Sequence, residues 1–149
     1  MKWKHILITT DLSDEATRAF NPAAALARES GARVTLLHVV PELLAVPHGA
    51  MLAPRMSSPS AQEERNSALI GLKKQSVKLG NGFRVDLEVT LGLDLSESIA
   101  EYAQEHDVDL VVMSTHGRSG LRRLVLGSIA EGVLRNSTVP VLCIPPEAQ

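Results

Sequence analysis

One cysteine, Cys143, stands among the 149 residues, and a lone thiol excludes an internal disulfide and any metal cage built from several cysteines. The absence of cysteine pairs accords with a reducing compartment. Strong charge of either sign is lacking too: 15 lysines and arginines face 17 aspartates and glutamates, for a formal net charge of −2. Such a balance carries no electrostatic footprint for a phosphate backbone, so no nucleic-acid partner is expected. Long apolar runs are missing. Near the N-terminus only Ile6, Leu7 and Ile8 are unbroken, well short of a signal peptide's core and of the roughly 20 apolar residues that span a bilayer. No membrane association and a cytoplasmic location are therefore expected. Internal repeats, coiled-coil heptads and low-complexity tracts are absent as well, so no repeat architecture is expected.

What is present suits one globular domain over residues 1–149, with 44% hydrophobic and 21% charged residues and a length typical of a single core. Five short stretches rich in Val, Ile and Leu alternate with longer helical patterns: Lys4 to Thr9, Arg33 to Val40, Arg84 to Leu91, Asp109 to Ser114 and Val139 to Ile144. That rhythm predicts an α/β fold with crossover units on a parallel sheet. Ser60 with Glu63, Asp94 with Glu97, and Ser128 with Glu131 each place a capping oxygen three residues before a Glu, which marks three helix starts. Behind the first two, Leu69, Leu72, Ser76 and Leu79, or Leu95, Ile99 and Ala103, recur at helical spacing and face the sheet. A further helix over Asp14 to Ser30 has Pro22 in its interior, at a cost of about 3 kcal/mol if straight, so a kink or break is expected at Asn21-Pro22. Between Pro41 and Pro59 lies a long connection with Pro47, Gly49, Pro54, Met51, Leu52 and Met56. It is either a lid over a ligand or a variable insertion.

The chemistry concentrates after the fourth strand. Ser114-Thr115-His116-Gly117-Arg118-Ser119-Gly120 leads through Leu126 to Gly127-Ser128, where the last helix opens. Glycines let backbone N–H groups approach an anion, and a helix start turns unpaired N–H groups and its positive dipole end toward it. Nine residues separate Gly117 from Gly127, a span that can wrap phosphates from two sides. No Gly-Lys-Ser/Thr occurs, so this is not the familiar P-loop. The bland alternative is a turn followed by an ordinary helix cap. Ligands of open parallel sheets sit beyond the strands' carboxyl ends, where strand order reverses; if the first and fourth strands are neighbours, Asp11 and the Ser114 to Gly120 loop share that crevice.

With Thr10-Asp11-Leu12-Ser13 after the first strand, Leu37-His38-Val39 in the second, the run Met113 to Gly120, Leu126-Gly127-Ser128 and Val139-Pro140-Val141-Leu142, the chain resembles the universal stress proteins over nearly its whole length. The resemblance implies a flavodoxin-like or Rossmann-like open five-stranded parallel sheet of order 3-2-1-4-5 with helices on both faces. It implies an adenine nucleotide, ATP or else ADP or AMP; with a triphosphate, Mg²⁺ is expected as well. Asp11 would lie by the base and sugar, the Val39 backbone on the adenine edge, and Gly117, Gly127 and Ser128 on the phosphates. Arg118 and Ser119 could add charge-assisted hydrogen bonds, and Thr10, Met113, Ser114, His116 and Ile129 complete the candidate set. The family motif begins with Gly where this chain has Ser114. A positive φ there would cost Ser roughly 1 kcal/mol or more, whereas a mere need for a small side chain would cost little.

Other residues have competing readings. His116 acts on a phosphate or serves as a hydrogen-bonding turn residue, and His38 packs at a strand end. Asp11 as a phosphoacceptor lacks an acidic neighbour, and Pro145-Pro146 stand where a lysine would be needed. Arg122 and Arg123 form a phosphate clamp or a solvated face. Cys143 is expected as a small hydrophobe in an apolar strand. In the implied order that strand, Val141, Leu142, Cys143 and Ile144, is an edge, and it suits a homodimer paired through it. Three functions follow: a nucleotide-dependent switch in stress response with slow or no hydrolysis, a dimeric interaction module of the same fold without nucleotide, or an ATP-cleaving enzyme. The third lacks an evident catalytic base, and no catalytic residue is assigned.

Overall fold

The structure is a computed structural model that describes residues 2–42, 59–116 and 126–147. Its strands are β1 (His5–Thr9), β2 (Arg33–Pro41), β3 (Val85–Gly92), β4 (Leu110–Ser114) and β5 (Val141–Ile144). They form one sheet in the order β3-β2-β1-β4-β5, and every pairing is parallel. The helices are α1 (Phe20–Ser30), α2 (Pro59–Ser76), α3 (Leu95–Glu105) and α4 (Ser128–Asn136), with short 3-10 segments at Glu15–Ala19 and Val77–Leu79.

The α/β class and the five-stranded sheet are as expected, with strand ends shifted by a residue or two. β5 starts at Val141 rather than Val139 for a local reason. The Ser137 hydroxyl donates to the Val139 carbonyl at 2.8 Å and accepts from its N–H at 3.2 Å, and Pro140 has no N–H to offer a neighbour.

Strand residues alternate between two cores. Ile6, Ile8, Val34, Leu36 and Val112 meet Phe20, Ala23 and Ala27 of α1 and Ala68 and Leu72 of α2. Leu7, Leu37, Val111 and Met113 meet Ile99, Tyr102 and Ala103 of α3 and Ala130 and Val133 of α4. All five residues of β1 are buried, because a central parallel strand has helices over both faces and needs no polar side.

The helix starts correct three expectations. Asp94 caps α3 as its sequence indicates, accepting from the Glu97 N–H at 3.0 Å. Ser60 does not precede its helix, since α2 begins at Pro59 and places Ser60 in the first turn. Ser128 is likewise the first residue of α4 and not its cap; Gly127 holds the cap position with no side-chain hydrogen bond. The break expected at Asn21-Pro22 falls earlier, where the 3-10 segment ending at Ala19 passes into α1. Pro22 then sits in the first turn of α1, where an N–H would have no intrahelical partner.

One buried position of α2 also differs. Leu72 and Leu79 are buried and Leu69 packs on the same core, but the remaining place belongs to Gln75, 8% exposed, and not to half-buried Ser76. Of the connection from Pro41 to Pro59, residues 43–58 lie outside the described residues.

Candidate functional site

Strand order reverses between β1 and β4: the chain leaves β1 to build β2 and β3 on one side and returns to add β4 and β5 on the other. The carboxyl ends of these two central strands therefore diverge into loops with a crevice between them.

On the β1 side the chain turns through Thr10-Asp11-Leu12-Ser13. Leu12 has φ of 67°, a left-handed conformation rare for a leucine. The turn is closed locally: the Leu12 N–H donates to Thr10 Oγ1 at 3.0 Å, and the Ser13 N–H donates to Asp11 Oδ1 at 2.9 Å. The Ser13 hydroxyl also donates to Asp11 Oδ1. The Thr10 N–H donates to the Leu37 carbonyl at 3.0 Å. His38 Nδ1 lies 2.8 Å from the Thr10 carbonyl, so that nitrogen carries the proton and donates.

Across the crevice, β4 ends at Ser114 and the chain continues through Thr115 and His116. The Ser114 hydroxyl donates to the His116 carbonyl at 2.8 Å. Ser114 is not among the described non-glycine residues with positive φ, which are Leu12 and Asp107. Serine at this first motif position therefore carries no left-handed strain. His116 is buried, with Nδ1 2.8 Å from Thr115 Oγ1 and Nε2 without a hydrogen-bond partner among the described residues.

Gly127 ties the start of α4 to the segment that leaves β4. Its N–H donates to the Thr115 carbonyl at 2.8 Å, and a Cβ built on it would stand 2.6 Å from that same oxygen. The backbone there has φ of −60° and ψ of 153°, so glycine is required by close approach of two backbones and not by an unusual torsion. The first turn of α4 follows. Its leading N–H groups have no carbonyl within the helix to bind, and no side-chain oxygen from the cap covers them.

These segments enclose a cavity of about 430 Å³. It is lined by Thr10, Asp11, Val39, Met113, Ser114, His116, Gly127, Ser128 and Ile129, which the structure thus brings together. Gly117, Arg118 and Ser119, and the possible clamp Arg122 and Arg123, lie outside the described residues. The lining also includes residues that periodicity assigned only to the core or did not single out: Leu37, Leu95 and Ile99 as an apolar wall, with Ala16, Pro41 and Thr115. His38 lines the cavity as well, and is half-buried and not simply packed. One side of the hollow is apolar and shaped by β2, β4 and α3; the other presents a helix start. Aromatic rings and anionic oxygens are the groups such a pair of walls accommodates.

Among the described residues no group of three or more His, Cys, Asp or Glu could hold a metal ion, and Asp11 is the one carboxylate in the cavity wall. Cys143 is half-buried on β5, and burial pushes its thiol above the usual range, which favours the uncharged form.

Residues 2–145 match the family model described as the universal stress protein family. The chain belongs to the universal stress protein family. It is 35% identical over 142 residues to universal stress protein MJ0531 of Methanocaldococcus jannaschii, covering 95% of this chain and 82% of that protein. Among solved structures, MJ0577 of the same organism has a TM-score of 0.77 at 27% identity, with full coverage of both chains. A universal stress protein in complex with cAMP has a TM-score of 0.69 at 20% identity, covering 99% of this chain and 100% of that one. One from Archaeoglobus fulgidus in complex with dAMP has a TM-score of 0.65 at 21% identity, covering 97% and 99%. Universal stress proteins with this fold thus include members solved with adenine nucleotides. No helix among the described residues is long and apolar enough to cross a membrane.

Proposed function

We propose that this universal stress protein binds ATP, or ADP or AMP, in the cavity between β1 and β4, as a cytoplasmic switch that responds to stress with slow or no hydrolysis. The observation that carries the reading is the junction of three features in one hollow: an apolar wall, the Asp11 turn, and a helix start with glycine at its cap. The base stacks on Leu37, Val39, Ile99 and Met113, with the Val39 backbone on its edge. Asp11 takes the ribose hydroxyls. Phosphate oxygens meet the N–H groups at Ser128 and Ile129, helped by Gly117, Arg118 and Ser119. Thr10, Ser114 and His116 fix the loops around the ligand. The cAMP and dAMP complexes of related folds support adenine as the base. A Mg²⁺ ion arriving with a triphosphate would suit a site of few carboxylates, since it leans on phosphate oxygens and water, and Asp11 is the carboxylate of the described cavity wall that would be available to it.

For a module of this fold without nucleotide, the sequence offers one argument, Ser114 in place of the family's Gly. That serine carries no positive-φ strain, so backbone strain at that position does not argue against the ligand. The edge strand β5 (Val141, Leu142, Cys143, Ile144) is half-buried along its length, which suits a homodimer formed by pairing that edge with a second copy. Denaturing the purified protein and analysing the supernatant by ion-exchange chromatography tests the reading. An adenine nucleotide should be released from protein purified without added nucleotide. A different resident ligand, or phosphate release faster than about one per minute, overturns it.

A further inference from the structure

We infer that Gln75, which does not line the cavity, is a positioning residue that holds the Asp11 turn in shape from α2; the inference rests on the nucleotide reading of that cavity. Leaving β1, the chain reverses over Thr10 to Ser13 with Leu12 in the left-handed region. A branched aliphatic residue stays there only when its surroundings over-determine it. The bonds among Thr10, Asp11, Leu12 and Ser13 close the turn on itself, and Thr10 is held to β2 through Leu37 and His38. Gln75 adds the tie to α2, and it is the bond that spans the turn. Its Oε1 accepts from the Thr10 hydroxyl at 2.6 Å, and its Nε2 donates to the Ser13 carbonyl at 3.0 Å. One amide thus grips both sides of Asp11 and Leu12, and Thr10 Oγ1 relays the grip to the Leu12 N–H.

One turn earlier on α2, Gly71 completes the fit. A Cβ there would stand 3.0 Å from Leu12 Cδ1, so the absent side chain leaves room for the leucine that the strained turn displays. Gln75 itself is nine-tenths buried with both ends of its amide used. Leucine in its place would match its bulk and strand the Thr10 hydroxyl and Ser13 carbonyl without partners. The turn would then relax toward an ordinary torsion at Leu12, and the Asp11 carboxylate would swing from the sugar position.

The test uses the full-length protein freed of nucleotide, titrated calorimetrically with ATP and with inorganic tripolyphosphate, as wild type, Gln75→Leu, Asp11→Ala and the double variant. Amide exchange at Leu12 and Ser13 is followed in parallel. Gln75→Leu should exchange faster at both amides and bind ATP about five- to tenfold more weakly, with tripolyphosphate affinity unchanged. In the Asp11→Ala protein the same substitution should cost nothing more, because the two act as one unit. Unchanged exchange, equal weakening of both ligands, or an additive double variant overturns the inference. If Gln75→Leu does not fold, Gln75→Glu keeps the acceptor for Thr10 and loses the donor to Ser13, and the same pattern should follow with smaller effects. A wild type that binds no ATP overturns the nucleotide reading, and exchange at Leu12 and Ser13 then decides alone whether Gln75 holds the turn.

Discussion

At the scale of single residues, the site depends on places where one atom more would not fit. Gly127, which faces backbone and not a flexible side chain, is such a place. Its missing Cβ leaves the Thr115 carbonyl in hydrogen-bond contact with the Gly127 N–H, and alanine there would force the start of α4 away from β4. Gly127→Ala should destabilise the protein by about 1 to 3 kcal/mol, as overpacking does, and weaken ATP binding at least about tenfold; thermal melting and calorimetry measure both. His5, at the opposite end of β1, supplies a pH prediction. It is buried, with Nδ1 donating to the His106 carbonyl at 3.0 Å and Nε2 accepting from the Thr35 hydroxyl at 2.8 Å. Burial lowers its pKa below the ordinary 6.5; Arg33 adds to the lowering, while the His106 carbonyl, Asp109 and Asp86 oppose it. The unfolded chain therefore binds a proton more readily than the folded one. The stability that this histidine contributes is complete above pH 6.5 and is lost as pH falls through its lowered folded pKa. Melting temperatures at pH 7.5 and 5.5 should differ more in the wild type than in His5→Gln; equal differences would contradict the assignment.

At the scale of elements, α1 offers a clean discrimination. A proline inside a straight helix costs about 3 kcal/mol, so replacing it should stabilise the protein by that amount. Pro22 instead occupies the first turn, where it restricts the unfolded chain at little cost to the folded one. Pro22→Ala should destabilise by less than about 1 kcal/mol in chemical denaturation. The same logic explains what was legible in the sequence. Val, Ile and Leu runs alternating with capped helical stretches are enough to name a parallel α/β sheet, and Asp94 with Glu97 marks a true cap. Ser60 and Ser128 show the limit of that signal, because a serine three residues before a glutamate satisfies the pattern equally well as the second or the first residue of the helix. The periodicity of α2 pointed to Ser76 and passed over Gln75. What buries a glutamine is a pair of hydrogen bonds to residues 62 and 65 positions away, which no local apolar pattern records. Nor does any local rule place Leu12 at positive φ, a conformation ordinarily left to glycine or asparagine.

At the scale of the whole molecule, strand order does most of the functional work. The order could be taken from resemblance but not from the residues themselves, since crossover units state only that strands are parallel. Once β1 and β4 are neighbours, the candidate residues from Thr10 to Ile129 that the structure describes meet in one hollow, although they lie far apart in the chain. Leu95 and Ile99 were legible as core because the apolar wall of a cavity and the core of a sheet use the same residues at the same spacing. The central claim is that this hollow holds an adenine nucleotide by its base and its phosphates together. Isothermal titration of nucleotide-free protein with ATP and Mg²⁺ tests it most directly. The account predicts one site per chain with a dissociation constant on the order of micromolar, about −8 kcal/mol; absence of binding heat at millimolar ATP, with the protein folded, would contradict it.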